Sequence, residues 1–333
     1  MADKFVLMRI INMRGVDLTT FDFDYDLTWA AFFMNANEHI YGRYGGRDEG
    51  PADKGLSIEG LTYAMEAALA AHARDPNAQP KRLAKEVHSV DRFAAARRLK
   101  KDQCIHCHQV YDFDRDRLAL ANKWSKDEVW VYPPPKNIGL VLDRKQGDRI
   151  DAILPGSSAA AAGMRENDVL LRLGEINVAS YADAQYALHR APKSGRLVAV
   201  WTRGDRTLTR TLALENGWRE SDISWRGSMW GLEPQAQVYG RDLTAEQKRE
   251  LGLPPRRLAF SQGDFVPRES RKAGIHARDI IIGIDGKELE MTMLQFNVYV
   301  RLNYKVGERI TFNVNRNGKR LEIPMTLQSR LRR

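Results

Sequence analysis

Apolar and polar positions along the chain change period several times, and each change predicts an element. Phe5-Val6-Leu7-Met8-Arg9-Ile10 is a short apolar run that reads as a buried strand. Thr28 to Met34 and Glu38 to Tyr44 read as two more strands, joined by a turn at Asn35-Ala36-Asn37. From Ser57 the period lengthens: Leu61, Met65, Ala68 and Leu69 share a helical face, Ser57 is the N-cap, and the helix ends before Pro76. Asp75 to Pro80 is rich in turn formers and predicts a linker. Leu83 to Leu99 fits a basic helix with Leu83, Val87, Val90 and Phe93 or Ala94 on one side. Leu118 to Trp124 predicts a short helix, and Val129 to Tyr132 runs into Pro133-Pro134-Pro135, which stops regular structure.

Beyond residue 135 the dominant pattern is a repeat. Ala162-Gly163-Met164-Arg165-Glu166-Asn167-Asp168-Val169-Leu170-Leu171 returns as Ala273-Gly274-Ile275-His276-Ala277-Arg278-Asp279-Ile280-Ile281-Ile282, which predicts two similar modules. In each, a short helix ends at Gly, an Asp opens a turn, and a β-branched run follows as a buried strand. The first copy continues to a helix over Ala184 to Arg190, capped by Ser180 with Asp183, and the second to a helix over Met291 to Arg301. Both close with hairpins, turning at Arg203-Gly204-Asp205 and Arg316-Asn317-Gly318.

Both cysteines of the chain lie in Cys104-Ile105-His106-Cys107-His108. C-x-x-C-H is the spacing that attaches haem c: two thiols reach the two porphyrin vinyl groups, and the adjacent histidine binds the iron. Cys104, Cys107 and His108 are therefore the expected cofactor-binding set, with His108 as the metal ligand. Zinc is an alternative, its shell completed by His106, His108 or His88, although no second Cys-x-x-Cys is present. A dithiol redox pair is another, helped by the cationic run Arg97 to Lys101 and by a helix that Asp102 would cap. An inert reduced pair is the plainest. Trp124, Trp130 and Tyr132 would wall a haem or simply fill a core. Asp22, Asp24 and Asp26 alternate as on the exposed face of a strand, with calcium as a minor reading.

At 333 residues, 43% of them hydrophobic, the chain can form several cores. Its net charge of +9 favours acidic partners, but the basic clusters at Lys81 to Lys101 and Arg330 to Arg333 lack interleaved aromatics, so nucleic acid is not expected. No apolar run reaches membrane-span length, and Met1 onwards lacks signal-peptide character. Haem c would place the protein in the periplasm or elsewhere outside the cytoplasm and leave open whether Met1 begins the natural protein. Without haem the expectation is cytoplasmic. No G-x-S-x-G elbow, P-loop or dinucleotide fingerprint is present, so no hydrolase or protease site is assigned.

Leu154-Pro155-Gly156-Ser157-Ser158-Ala159-Ala160-Ala161-Ala162-Gly163-Met164 resembles the P-G-S-P-A-A-x-A-G signature of bacterial PDZ domains, as found in HtrA-like proteases, with Ser158 where proline is usual. Leu243 to Leu253 resembles the helical insert opening such a domain, while Phe265 to Ser270 has lost the Gly-Ser. The resemblance implies strand addition of an extended peptide, with the terminal carboxylate held by backbone N–H groups. It places the binding loops at Ile138-Gly139-Leu140-Val141 and at Trp230-Gly231-Leu232, with Ala184 and Leu188 on the groove helix. Partners would then be protein or peptide C-termini; a redox partner stays unnamed.

The strand, hairpin and helix of the N-terminal part resemble the C-terminal half of a thioredoxin-like domain, without its redox cysteines and with Leu27-Thr28 where cis-proline is expected. The whole order resembles a bacterial family of thioredoxin-like proteins with PDZ domains, most closely at Phe21 to Thr28, Cys104 to Val110 and Asp183 to Arg190. The expected fold is α+β and multidomain: an incomplete thioredoxin-like unit (1–75), a helical connector with the C-x-x-C-H motif (76–135), and two PDZ-like β-sandwich or barrel domains (136–216 and 217–330). The expected function is electron transfer through covalent haem c, with PDZ-like docking; the alternative is a non-enzymatic peptide-binding scaffold whose cysteine pair binds zinc or acts as a thiol redox site.

Overall fold

The computed structural model describes residues 1–80, 87–100 and 102–329. It divides into two compact units, Met1–Ser221 and Asp222–Arg333. Leu83 and both ends of the predicted basic clusters, Lys81 and Lys101 with Arg330 to Arg333, lie outside the described residues.

The first unit opens with a correction. Phe5–Ile10 is no buried strand: it pairs with no strand among the described residues, and Val6, Leu7 and Met8 are 94%, 76% and 88% exposed. Apolar sequence becomes strand only where a neighbouring edge satisfies its backbone, and here the adjacent strands use each other. β1 (Ala30–Met34) and β2 (Ile40–Gly45) form a two-stranded antiparallel hairpin. Asn35 holds its turn, the side-chain oxygen accepting from the N–H groups of Asn37 and His39 at 3.0 and 2.9 Å. α1 (Ile58–Arg74) follows as expected, with the Ser57 hydroxyl accepting from Gly60 N–H at 2.9 Å.

The stretch expected to be a connector instead builds a small core with the N-terminus. Met13, Leu18 and Tyr25 pack with Val90, Phe93, Ala96, Ile105 and Val110. Val90–Arg92 and Ala94–Arg98 are tight 3-10 turns interrupted at an extended Phe93, rather than one basic helix. Val90, Phe93, Ala95 and Ala96 are all buried in this conformation. Asp24 is likewise buried, accepting from the Tyr111 hydroxyl at 3.2 Å, so the expected exposed acidic strand face does not form. α2 (Cys107–Leu120) carries the second cysteine at its first position, and its last turns take up part of the expected Leu118–Trp124 helix.

The first repeat folds as β3 (Leu140–Leu142), β4 (Ile150–Ile153), α3 (Ser158–Ala161), β5 (Val169–Leu173), β6 (Ile176–Asn177), α4 (Tyr181–Arg190), β7 (Gly195–Arg203) and β8 (Arg206–Leu214). β3 pairs only with β4, and the other strands form a four-stranded sheet in the order β6-β5-β7-β8. Ser157 caps α3 and Ser180 caps α4, as their sequences predict. The core gathers Ile138, Leu140, Ile150, Leu170, Leu188 and Trp201 between the sheets and α4.

In the second unit β9 (Gly240–Asp242), α5 (Ala245–Glu250), β10 (Phe260–Gln262), α6 (Arg268–Ala273), β11 (Ile280–Ile284), α7 (Met293–Asn303), β12 (Arg309–Arg316) and β13 (Lys319–Thr326) form one five-stranded antiparallel sheet, β13-β12-β11-β10-β9, with α7 over its core. Both modules are mixed α+β folds built on antiparallel strands. Neither closes into the expected barrel among the described residues; β3, β9 and β10 span three residues each, too short to carry closure around a rim.

The hairpin, α1, the Cys-motif core and the first repeat make one compact unit ending at Ser221, and residues 218 and 220 bond back onto that repeat through Asn137. α1 meets the β3–β4 turn: the Tyr63 hydroxyl donates to Asp148 at 2.8 Å, and a Cβ on Gly60 would lie 2.3 Å from the Arg144 carbonyl oxygen. Gly60→Ala is therefore expected to lower stability by about 1–3 kcal/mol, as overpacking does, although Gly→Ala inside a free helix would stabilise. Urea unfolding of the variant checks the sign.

Candidate functional sites

Three places carry the residues singled out in the sequence, and the C-x-x-C-H motif is the first. Ile105 is buried, its N–H donating to Asn12 Oδ1 at 3.0 Å and its carbonyl accepting from Met13 N–H at 2.9 Å. His106 is the N-cap of α2 and its N–H is satisfied by Gln109 Oε1 at 2.8 Å, so Asp102 does not play the expected capping part. Cys104 is exposed; Cys107 is half-buried against Val110 and Tyr25, and burial pushes its thiol pKa up. That direction opposes the activated thiolate a dithiol enzyme needs. The His106 and His108 rings lie parallel with centroids 6.0 Å apart, both on exposed residues.

A haem needs its anchors beside an apolar wall. Here His108 faces solvent, and the apolar surface beside Cys107 is already filled by protein side chains. Tyr132, expected as part of that wall, instead stacks on His189 of α4 with centroids 4.1 Å apart. The residues as folded do not fit a haem. Nor do three His, Cys, Asp or Glu side chains gather among the described residues in a way that could hold zinc or calcium.

The second place is the loop and helix of the first PDZ-like module. Gly139 adopts φ +91°, and a Cβ there would fall 1.9 Å from Ser157 Oγ, so only glycine fits. Its carbonyl accepts from Leu154 N–H at 2.9 Å, and the Ile138 carbonyl accepts from Ser158 Oγ at 3.3 Å. Val141 is half-buried, whereas Ile138, Leu140, Ala184 and Leu188 are at most 1% exposed and belong to the module core.

A feature absent from the sequence reading lies across the loop end. The Asn137 side-chain amide donates to the carbonyls of Trp218 and Glu220 at 3.0 and 3.1 Å. The Trp218 indole N–H donates to the Pro192 carbonyl at 3.1 Å and its ring packs on the module core. Arg219 donates to the His189 carbonyl at 3.1 Å and to that of Ala191. Residues 218–220 thus strap the loop to the C-terminal end of α4. The only local signal was a tryptophan just outside the last strand, which is common enough to pass unnoticed.

The third place is the matching region of the second module. Gly231 is exposed at the end of a 3-10 turn, and Leu232 is buried. Leu232 to Tyr239 forms no strand; Pro234 within it has no N–H for a ladder. Instead α7 reaches this segment with side chains: Arg301 Nε donates to the Leu232 carbonyl at 3.2 Å and Asn297 Nδ2 to that of Val238 at 3.3 Å.

In the first unit, α4 is also the dock for the N-terminal hairpin. Asp183 accepts from Arg43 N–H at 3.0 Å, Ser180 Oγ donates to the Arg43 carbonyl at 2.6 Å, and Gln185 Nε2 donates to the Arg47 carbonyl at 2.9 Å. Asp183 is 1% exposed, and burial pushes its pKa up to about 6 against the opposing pull of Arg43 and its hydrogen bonds.

No protein-family model matches the chain, and no curated protein matches it. Among solved structures it is similar to the HtrA-type protease AlgW with decapeptide, at 22% identity over 29% of each chain and a TM-score of 0.22. It is similar also to a variant of that protease with tripeptide, at 19% identity over 29% of this chain and 32% of that one, TM-score 0.25. The chain thus spans less than a third of the length of these proteins.

Two outcomes are expected. The folded carboxyl of Asp183 holds its proton to about pH 6, whereas the unfolded one releases it near 4, so ionisation costs stability above pH 6 and that cost disappears as pH falls to about 4. Urea titrations should show this unit gaining up to roughly 3 kcal/mol from the group between those limits, and Asp183→Asn should lose that part of the slope. For the cysteines, expression in a host that attaches haem c is expected to yield the bare chain mass, with iodoacetamide modifying Cys104 well before Cys107. A haem-sized increment lost in Cys104→Ala/Cys107→Ala would restore the electron-transfer reading.

Proposed function

We propose that this protein is a non-enzymatic scaffold whose PDZ-like modules bind extended peptides, with the N-terminal residues serving to brace the first module. The observation that carries this reading is β3: it follows the glycine-dependent loop at Gly139 and, among the described residues, pairs only with β4, which leaves its other edge for an added strand. Ile138, Gly139, Leu140 and Val141 would receive the peptide backbone, with Ala184 and Leu188 supporting the pocket from the core. The order of hairpin and helix in 30–74 supports a thioredoxin-like ancestry for the brace. Covalent haem at Cys104 and Cys107 is the competing proposal; the exposure of Cys104 and His108 speaks against it.

The strap sets how easily the first groove opens. A peptide terminus entering at the loop would displace Trp218 and Glu220 from Asn137. Two hydrogen bonds from the Asn137 amide to main-chain carbonyls, worth about 1 kcal/mol each, together with the Trp218 indole's bond to Pro192 and its packing, then oppose binding. Trp218→Ala and Asn137→Ala are each expected to raise affinity about tenfold for fluorescein-labelled decapeptides with free carboxyl ends, measured by anisotropy across a set covering all terminal residues. No binding by either variant would sink strand addition at this module.

A further inference from the structure

In the second module the groove helix carries two polar groups whose chemistry is half used. Asn297 and Arg301 are four residues apart on α7, hence one above the other on a single face. Both are 1% exposed. Asn297 Nδ2 is spent on the carbonyls of Val238 and Met293, at 3.3 and 3.0 Å, which also settles which amide atom is oxygen. Its Oδ1 is buried without a hydrogen-bond partner, and so is Nη2 of Arg301. The guanidinium sits 5.4 Å from the centroid of the Trp230 ring, beside the Trp230-Gly231-Leu232 loop. A buried guanidinium N–H left unpaired is costly, and a carboxylate is the group that matches its charge and fork geometry.

We infer that Arg301 is the carboxylate receptor of the second module, taking the free C-terminus of an extended peptide, with Asn297 Oδ1 accepting a backbone N–H further back along the same peptide. The spacing agrees. Four helical residues rise about 6 Å, and backbone N–H groups that face the same side of a strand repeat at roughly 6.7 Å. The polarity agrees too. Arg301 is level with Leu232 at the loop and Asn297 with Val238 farther along, so the peptide would end at the loop. In this site the charge is met by a side chain of the groove helix, whereas the loop mode relies on backbone N–H groups. The side-chain contacts to Leu232 and Val238 now span the space between helix and segment, and the peptide would replace them. This inference rests on the peptide-binding reading above.

The test uses the full chain and the same decapeptide set, each member as free acid and as C-terminal amide. At least a tenfold preference for the acid is expected, together with slowed hydrogen exchange in 230–240 and 293–303. Arg301→Gln should abolish the preference. Because that buried position tolerates change poorly, the exchange measurement on unaltered protein decides the matter if the variant does not fold. Acid and amide binding equally, or protection confined to the first module, would overturn the role of Arg301 and leave peptide binding standing. Failure of every peptide, in the unaltered chain and in Trp218→Ala, would overturn both together.

Discussion

A buried carboxylate gripped by an arginine fork holds each module closed. Asp168 receives Nε and Nη2 of Arg203, both at 2.8 Å, and the same arginine reaches the Gly163 carbonyl at 2.7 Å. Asp279 receives Nε and Nη2 of Arg316, both at 2.7 Å, and Arg316 reaches Gly274 at 2.6 Å. Each clamp joins the turn before a central strand to the end of the strand that enters the closing hairpin. Burial alone would raise the Asp279 pKa, yet the arginine and the His276 N–H hold it below the ordinary carboxylate range. Paired, hydrogen-bonded charge of this kind tolerates no single replacement, since removing one partner strands the other.

With the modules closed this way, their helices become surfaces on which other chain segments settle. α4 is buried on most of its circumference: the core takes Ala184 and Leu188, the hairpin takes Asp183 and Gln185, and Tyr132 stacks on His189. Arg43 and Arg144 lie 3.6 and 3.7 Å from the ring centroids of Tyr186 and Tyr181, so cationic side chains from the N-terminal part and from the β3–β4 turn cover the aromatic residues of the helix. The N-terminal residues are thereby a brace for one wall of a groove.

The two modules solve the same topological problem differently. In the first, glycine in a left-handed conformation shapes the loop and a tryptophan-bearing strap crosses it. In the second the loop glycine is part of a 3-10 turn, and long polar side chains of the helix span the gap. The first site therefore presents backbone at its loop, and the second a buried guanidinium.

Local pattern determined the hairpin at Asn35, the helix from Ser57, the repeat and its two closing hairpins, because turn chemistry, capping and apolar period act over a few residues. Gly139 was singled out only through the resemblance of its loop, and its left-handed φ of +91° came from the structure. Only the tertiary structure decided that Phe5–Ile10 stays unpaired among the described residues, that the supposed connector holds a core with Met13 and Tyr25, and that Cys107 packs onto that core while Cys104 is exposed. Strand pairing and burial depend on which distant edge or face is free, and no periodicity records that. Arg301 was hidden likewise: in sequence it ends a helix as many arginines do, and its meaning comes from Leu232 and Trp230, brought beside it by packing across about seventy residues of chain.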